Sequence, residues 1–236
     1  MNAVLLPLAS SPGADRIRVL QITLESLSRL RVWVDLGCGE SEATATIALP
    51  AHIRHISVDV VDPISPPAGF VRDEIPHFIA NNALGPDSVV SLLDVIEHFP
   101  RPDAIALLET LEREAGAVVI FTPDSFYPQN ATTHPEFADK PYQWHQSGWT
   151  KEEFVARGYA VVKFPQLHMD FGGFAAVRVR DWPAADYLRW RIGVESLRVR
   201  PFLNPSTCIR AWKEHVRFRH GESWWYASLR RLRQRR

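Results

Sequence analysis

Apolar residues recur at Ile17, Leu20, Ile22, Leu24, Leu27 and Leu30. This spacing falls mostly on one helical face and predicts an amphipathic helix from Asp15 to Leu30, packed on whatever follows. The pattern then changes to short continuous apolar runs. Val32-Trp33-Val34-Asp35-Leu36 ends at Gly37-Cys38-Gly39 and reads as a buried parallel strand entering a glycine turn. Residues 42–49 suit a short helix. A second strand over 55–62 carries acids at its C-terminal end and is stopped by Pro63, Pro66 and Pro67.

Gly69–Asp73 predicts a brief third strand and 74–82 a short helix. Ser88–Asp94 predicts a fourth buried strand, Pro102–Arg113 a helix and Ala117–Phe121 a fifth strand. Thr122–Ser147 is irregular and rich in Pro, Asn, His and aromatics; a connection this long is expected to carry function rather than only link. Thr150 opens a helix with acids in its first turn, Gly158 ends it, and Ala160–Phe164 with Phe174–Val179 close the sheet as an antiparallel hairpin. Strands alternating with helices over about 110 residues predict an α/β sheet, mostly parallel, with helices on both faces.

The 236 residues are 46% hydrophobic and 23% charged, which suits one globular domain with an elaboration and excludes disordered or collagen-like classes. The zero net charge is divided unevenly. Residues 1–177 hold 12 Lys/Arg against 22 Asp/Glu, and residues 178–236 hold 15 against 5. We therefore expect a domain over 1–180 and a basic, mainly helical extension over 181–236. Two cysteines, Cys38 and Cys208, are too few for a disulfide framework, and no Cys/His spacing suits structural zinc. The short apolar start Val4–Ala9 is broken by Pro7 and lacks the basic flank of a secretory signal. No window approaches the roughly 20 apolar residues that span a bilayer, so a soluble or at most peripheral chain is expected; the low cysteine count makes a reducing cytoplasm the expected compartment, with the inner face of the membrane as a peripheral alternative.

Chemistry-bearing residues gather at the predicted strand ends, where ligands bind in open parallel sheets. Gly37 and Gly39 follow the first strand, Asp59 or Asp62 ends the second, Asp73 the third, and Asp94, Glu97 and His98 the fourth. A glycine turn admits a ligand close to the backbone, and an acid ending the next strand can accept both ribose hydroxyls, so a nucleoside site is expected. The long pyrophosphate turn and the Gly-Lys-Ser/Thr ending of an ATP loop are both missing. Asp35, Glu40 and Glu42 would repel phosphate, which leaves a cationic or zwitterionic ligand.

Val32–Gly39, Val58-Asp59, Asp94–Phe99, Phe121–Asp124 and Pro141–Thr150 together resemble the class I S-adenosylmethionine-dependent methyltransferases, over roughly residues 14–180. The last segment looks like one found in bacterial members acting on small molecules or sugars. The resemblance implies a Rossmann-like sheet of seven strands, mostly parallel with the last antiparallel, S-adenosylmethionine as cofactor, and transfer of its methyl to oxygen or nitrogen of a small-molecule, sugar or lipid-linked acceptor. It further implies that Gly37 and Gly39 pass under the methionine part with Asp35 fixing the turn, and that Asp59 holds the ribose. Asp73 would face the adenine, and Leu93 and Asp94 would line the methionine side. Cys38 joins this wall as a small filler, since its acidic neighbours disfavour a thiolate. Ser41 departs from the family, many members having a third glycine there.

Methyl transfer to a hydroxyl needs a positioned nucleophile and a base. His98 is the first candidate because it follows the fourth strand and an unperturbed imidazole titrates near neutrality; His145 and His134, from the long loop, are the next, and Glu97 is the further catalytic candidate. The plain alternative is that His98 only orders the loop. His134, Gln143 and His145 are candidates to contact the acceptor, or else satisfy loop backbone groups. Asp94-x-x-Glu97-His98 resembles the Glu-x-x-Glu-His metal motif of some O-methyltransferases, but such members need further ligands, and no metal is expected. Trp224, Trp225, Tyr226, Leu229 and Leu232 alternate with arginines over 222–236. That segment can lie on an anionic membrane surface, grip a polyanion, or dock on the acidic body of its own or a second subunit. A nucleic-acid methyltransferase and a non-catalytic binding subunit are the alternative functions. No Asn/Asp-Pro-Pro-Tyr/Phe sequence supports the former, so nucleic acid is not the expected partner.

Overall fold

The computed structural model describes residues 4–5, 12–164 and 172–196. One mixed sheet organises them. Its strands are β1 (Val4–Leu5), β2 (Val32–Leu36), β3 (Arg54–Asp59), β4 (Phe70–Arg72), β5 (Ser88–Leu93), β6 (Ala117–Pro123), β7 (Ala160–Phe164) and β8 (Gly173–Val179), in the spatial order β1-β7-β8-β6-β5-β2-β3-β4. All seven expected strands are present in the arrangement of a Rossmann-like class I methyltransferase sheet. β8 runs antiparallel to both neighbours, and the other pairings are parallel. Val4–Leu5 adds a two-residue pairing on the β7 edge. Strand order reverses between β2 and β5, so their C-terminal ends open the crevice where a ligand can enter.

The predicted helices are present with shifted ends: α1 (Pro12–Ser26), α2 (Glu42–Thr46), α3 (Ile75–Asn81), α4 (Arg101–Glu114), α5 (Lys151–Ala156) and α6 (Ala184–Ser196). α1 ends before Leu27 and Leu30, which are nevertheless fully buried as the chain turns into β2. Alternation along the strands divides the core into two layers. Trp33, Val89, Val119 and Phe121 meet α1 and α6 on one face, while Val34, Leu92, Val118 and Ile120 meet the α4 residues Leu107, Leu108 and Leu111 on the other. The expected boundary at residue 180 falls just before α6. That helix buries Trp190, whose Nε1 donates to Thr23 Oγ1 of α1 at 3.1 Å. The basic segment 222–236 lies outside the described residues.

The long connection between β6 and α5 is tied down at both ends. Asp124 meets Lys163 at 3.1 Å and Lys151 at 3.4 Å. At the far end Thr150 and Glu153 form a reciprocal capping box on α5. Arg101 lies over the Trp149 ring, 3.7 Å from its centroid, and bonds to the Gly148 carbonyl and the Glu153 carboxylate. Arg101→Ala is therefore expected to cost about 1–2 kcal/mol, combining a cation–π contact with charge-assisted hydrogen bonds. Urea unfolding checks this; an unchanged midpoint would mean that the loop is anchored without Arg101.

Candidate active site

The register of β2 on β5 builds the floor of the crevice. Asp35 and Ser91 are direct parallel partners, as are Trp33 and Val89, so Trp33, Ser91 and Asp35 share one face. Trp33 Nε1 donates to Ser91 Oγ at 2.7 Å, and Ser91 Oγ donates to Asp35 Oδ1 at 2.5 Å. The indole has only a donor, so it fixes the hydroxyl hydrogen toward the carboxyl. Asp35 is 2% exposed. Burial pushes its carboxyl up to about 7, partly offset by the Ser91 hydroxyl and reinforced by the Asp59 charge.

The glycine turn is strapped to the end of β3. Gly37 and Cys38 donate their N–H groups to Val58 O at 2.8 and 3.2 Å. Gly39 N–H donates to Asp59 Oδ2 at 2.8 Å, and Val61 N–H donates to Asp59 Oδ1 at 3.0 Å. Each Asp59 oxygen thereby holds one backbone amide and keeps a second lone pair for a ligand hydroxyl. Gly37 and Gly39 have φ of +69° and +52°. Ser41, where the family commonly has glycine, is left-handed as well at +61°, a conformation that glycine adopts without strain. Burial lifts the Cys38 thiol to about 11, which leaves it an inert wall residue.

These elements enclose a cavity of about 600 Å³, a size suited to a cofactor or drug-sized ligand. Asp35, Gly37, Cys38, Gly39 and Asp59 line it, together with Leu93 and Asp94. Asp94 has a left-handed φ of +54°, the kind of strain that collects at functional sites. Five acidic residues line the cavity (Asp35, Glu40, Asp59, Glu74 and Asp94), and no lysine or arginine is among its described lining residues. The field favours a cation or a neutral polar molecule over a phosphate.

Asp73, a predicted site residue, and Asp62, the rival to Asp59 whose place before Pro63 reads as a turn, both stand elsewhere. Asp73 does not line the cavity: its carboxylate turns to His77 Nδ1 at 2.8 Å, while the next residue, Glu74, lines the wall with Ile75 and Pro76. Asp62 lies beyond the end of β3 and pairs with Arg72 at 2.9 Å. His98 and Gln143 also line the cavity, together with Tyr142 and Gln146, which sequence reasoning did not single out. Both belong to the Pro141–Thr150 segment already noted, so the signal was present without a way to choose among its members. His134 is turned away, held by Glu136 at 3.0 Å and the Tyr127 hydroxyl at 3.3 Å.

His145 and Glu97 stand behind His98 rather than on the cavity wall. Gln146 and Ser147 donate their backbone N–H groups to Glu97 O at 2.8 and 3.0 Å, and Gln146 Nε2 donates to His98 O at 2.7 Å. This fastens the loop to the turn after β5. The rings of His98 and His145 meet edge to face, 4.9 Å between centroids. Burial holds the His98 imidazole below its usual value, although the Trp144 carbonyl and the Asp94 charge act the other way.

Fold and crevice thus define a Rossmann-like protein with an acidic, nucleoside-sized site at its topological switch point. No family model and no curated protein matches the chain. Among solved structures it is similar to the small RNA methyltransferase HEN1, at 16% identity over 75% of this chain and 27% of that one, with a TM-score of 0.49. It is also similar to the N-terminal domain of EvdMO1, determined in the presence of SAH and D-fucose, at 12% identity over 73% and 85% of the two chains and a TM-score of 0.48. A third is the Burkholderia thailandensis 1,6-didemethyltoxoflavin-N1-methyltransferase with bound 1,6-didemethyltoxoflavin and S-adenosylhomocysteine, at 16% identity over 71% and 78% and a TM-score of 0.47. The chain spans about a quarter of the length of the HEN1 structure. No helix among the described residues is long and apolar enough to cross a membrane.

Proposed function

We propose that this chain is an S-adenosylmethionine-dependent methyltransferase acting on an oxygen or nitrogen of a small-molecule, sugar or lipid-linked acceptor. The observation that carries the reading is the junction of the glycine turn with Asp59, which forms one wall of an acidic cavity of about 600 Å³. The donor set fits the cofactor: Asp59 keeps lone pairs for the ribose hydroxyls, Gly37 and Gly39 leave room for the methionine part, and the carboxyls suit a sulfonium and an ammonium. When bound, S-adenosylmethionine supplies an electrophilic methyl. The acceptor atom would bond to that carbon as the carbon–sulfur bond breaks with its electron pair left on sulfur, and the acceptor's proton would pass to a base beside it or to solvent.

This chain's own contribution is position. Leu93 and Asp94 set the cofactor side, and His98, Tyr142, Gln143 and Gln146 set the acceptor side of the same space. That both sides border one cavity supports catalysis over cofactor binding alone. The acidic lining supports an uncharged or cationic acceptor over a nucleic acid. Acceptor activation falls to the Glu97–His98–His145 group. A cytoplasmic setting, and self-association or contact with an anionic membrane through 222–236, remain parts of this proposal.

Calorimetry with S-adenosylhomocysteine tests it. Wild-type protein is expected to bind, and Asp59→Ala to bind at least tenfold more weakly, because the ribose acceptor and the tie to Gly39 are lost together. Absence of binding to folded wild-type protein would overturn the reading.

A further inference from the structure

We propose that a groove between α3 and α4 holds the apolar tail of the acceptor, which makes the acceptor an amphiphile: a polar head that receives the methyl, joined to a hydrocarbon chain. The inference rests on the methyltransferase reading for the head and on the groove alone for the tail. The groove offers about 880 Å³, more than the cofactor cavity, and Pro76 and Phe99 line both spaces. Phe99 directly follows His98, which stands on the acceptor side in the proposed function. A molecule whose head lies beside His98 therefore meets an apolar continuation at Phe99.

The groove exists because the two helices differ in length. α3 has 7 residues and α4 has 14, roughly 10 and 21 Å at about 1.5 Å per residue. Two asparagines close α3. Asn81 and Asn82 donate their side-chain amides back to the carbonyls of His77 at 2.9 Å and Phe78 at 2.8 Å, and Asn82 is the cap residue. α4 continues past that point with Ala106 exposed, and Ile79, Phe99 and the buried Leu107 line the groove with it.

The polar groups of the groove are already engaged. The Asn81 and Asn82 amides are turned onto their own helix, Arg113 donates to Glu114 at 2.8 Å, and Asp103 stands in the first turn of α4, where its charge complements the helix dipole. The rest of the lining, Pro76, Ile79, Ala80, Phe99, Ala106 and Leu107, is apolar. A peptide laid here would find few partners for its backbone N–H and C=O groups, and burying them unpaired opposes binding. A hydrocarbon chain has no such groups to lose, and each methylene fully covered tightens binding about fourfold. The acidic residues of the adjoining cavity leave the head uncharged or cationic.

Octyl β-D-glucoside, kept below its micelle concentration, is the probe, and methyl β-D-glucoside is the same head without the tail. Calorimetry uses the full chain with S-adenosylhomocysteine in excess, so that no tail enters the cofactor part of the cavity. The octyl compound should bind at least tenfold more tightly, since about two fully covered methylenes already supply that factor. Ala106→Lys and Ala80→Lys set an ammonium in the groove from α4 and from α3, and a covered tail would desolvate it. Each should abolish the preference while leaving S-adenosylhomocysteine affinity and melting temperature unchanged; if one variant unfolds, the other carries the comparison. Wild-type protein that binds S-adenosylhomocysteine but does not distinguish the glucosides, or whose preference survives in the folded variants, overturns the inference and leaves the methyltransferase reading standing. A preference that the variants abolish, in protein that ignores S-adenosylhomocysteine, removes the methyltransferase reading and with it the amphiphile's role as acceptor. Dimers that Ala106→Lys dissociates would assign the groove to a second copy, and a preference that appears only after Trp224 and Trp225 are replaced by alanine would assign it to this chain's own C-terminal segment; either overturns the inference.

Discussion

Gly37→Ala is expected to lower the free energy of unfolding by about 2–5 kcal/mol, whereas Gly39→Ala, two residues on, should leave the fold nearly intact and weaken cofactor binding. Both glycines are left-handed, so a side chain at either carries about 1–2 kcal/mol of strain. They differ in what the new carbon meets. At Gly37 a Cβ would stand 2.6 Å from Val95 Cγ2 and 3.0 Å from Cγ1. Val95 is buried and branched at Cβ, so it yields only by moving the turn after β5, and overpacking of this kind adds about 1–3 kcal/mol. At Gly39 no atom lies within 4 Å, because that position faces the cavity. Urea unfolding of both variants, with S-adenosylhomocysteine calorimetry on the folded one, separates the two effects. Equal stabilities would show that the approach of the turn to Val95 does not govern the fold.

That contrast illustrates what could be read along the chain. β2, its glycine turn and the acid ending β3 are local features: an apolar run, two glycines and one carboxylate fix them within about 30 residues, and Asp35, Gly37, Gly39 and Asp59 all line the cavity. Asp73 shows where such reading stops. Its place at the end of β4 was legible, but not the turn into α3, which brings His77 over its carboxylate and passes the cavity position to Glu74. The earlier end of β3 also separates Asp59 from Asp62, which alternation alone left three residues apart on one expected strand. Least legible was the 122–149 loop. Its path is set by hydrogen bonds that join Gln146 and Ser147 to Glu97 and His98 across nearly 50 residues. No periodicity encodes such bonds, so His145 could be named as a candidate but not placed behind His98, nor Tyr142 and Gln146 chosen for the wall.

Raising the pH from about 4 to about 8 is expected to destabilise the unliganded protein through Asp35, opposite to the usual effect of a carboxylate. The unfolded chain ionises this group near 3.8, but the folded chain only near 7. Between those values the native state binds more protons, so stability is fully present below the unfolded value and falls as pH rises through the folded one. At about 1.36 kcal/mol per unit the loss reaches about 4 kcal/mol. The groups facing Asp35 set its size: Ser91 Oγ donates to it, whereas the Asp59 charge across the glycine turn opposes its ionisation. Asp35→Asn should flatten this slope in urea unfolding measured from pH 4 to 8, and equal slopes in the two proteins would sink the assignment. Ligand charge supplies a second measurement. Asp35 lines the cavity, so within the proposed function a cationic sulfonium should favour its ionised form. The affinity for S-adenosylmethionine relative to neutral-sulfur S-adenosylhomocysteine should then rise with pH around 7, and lose that rise in Asp35→Asn.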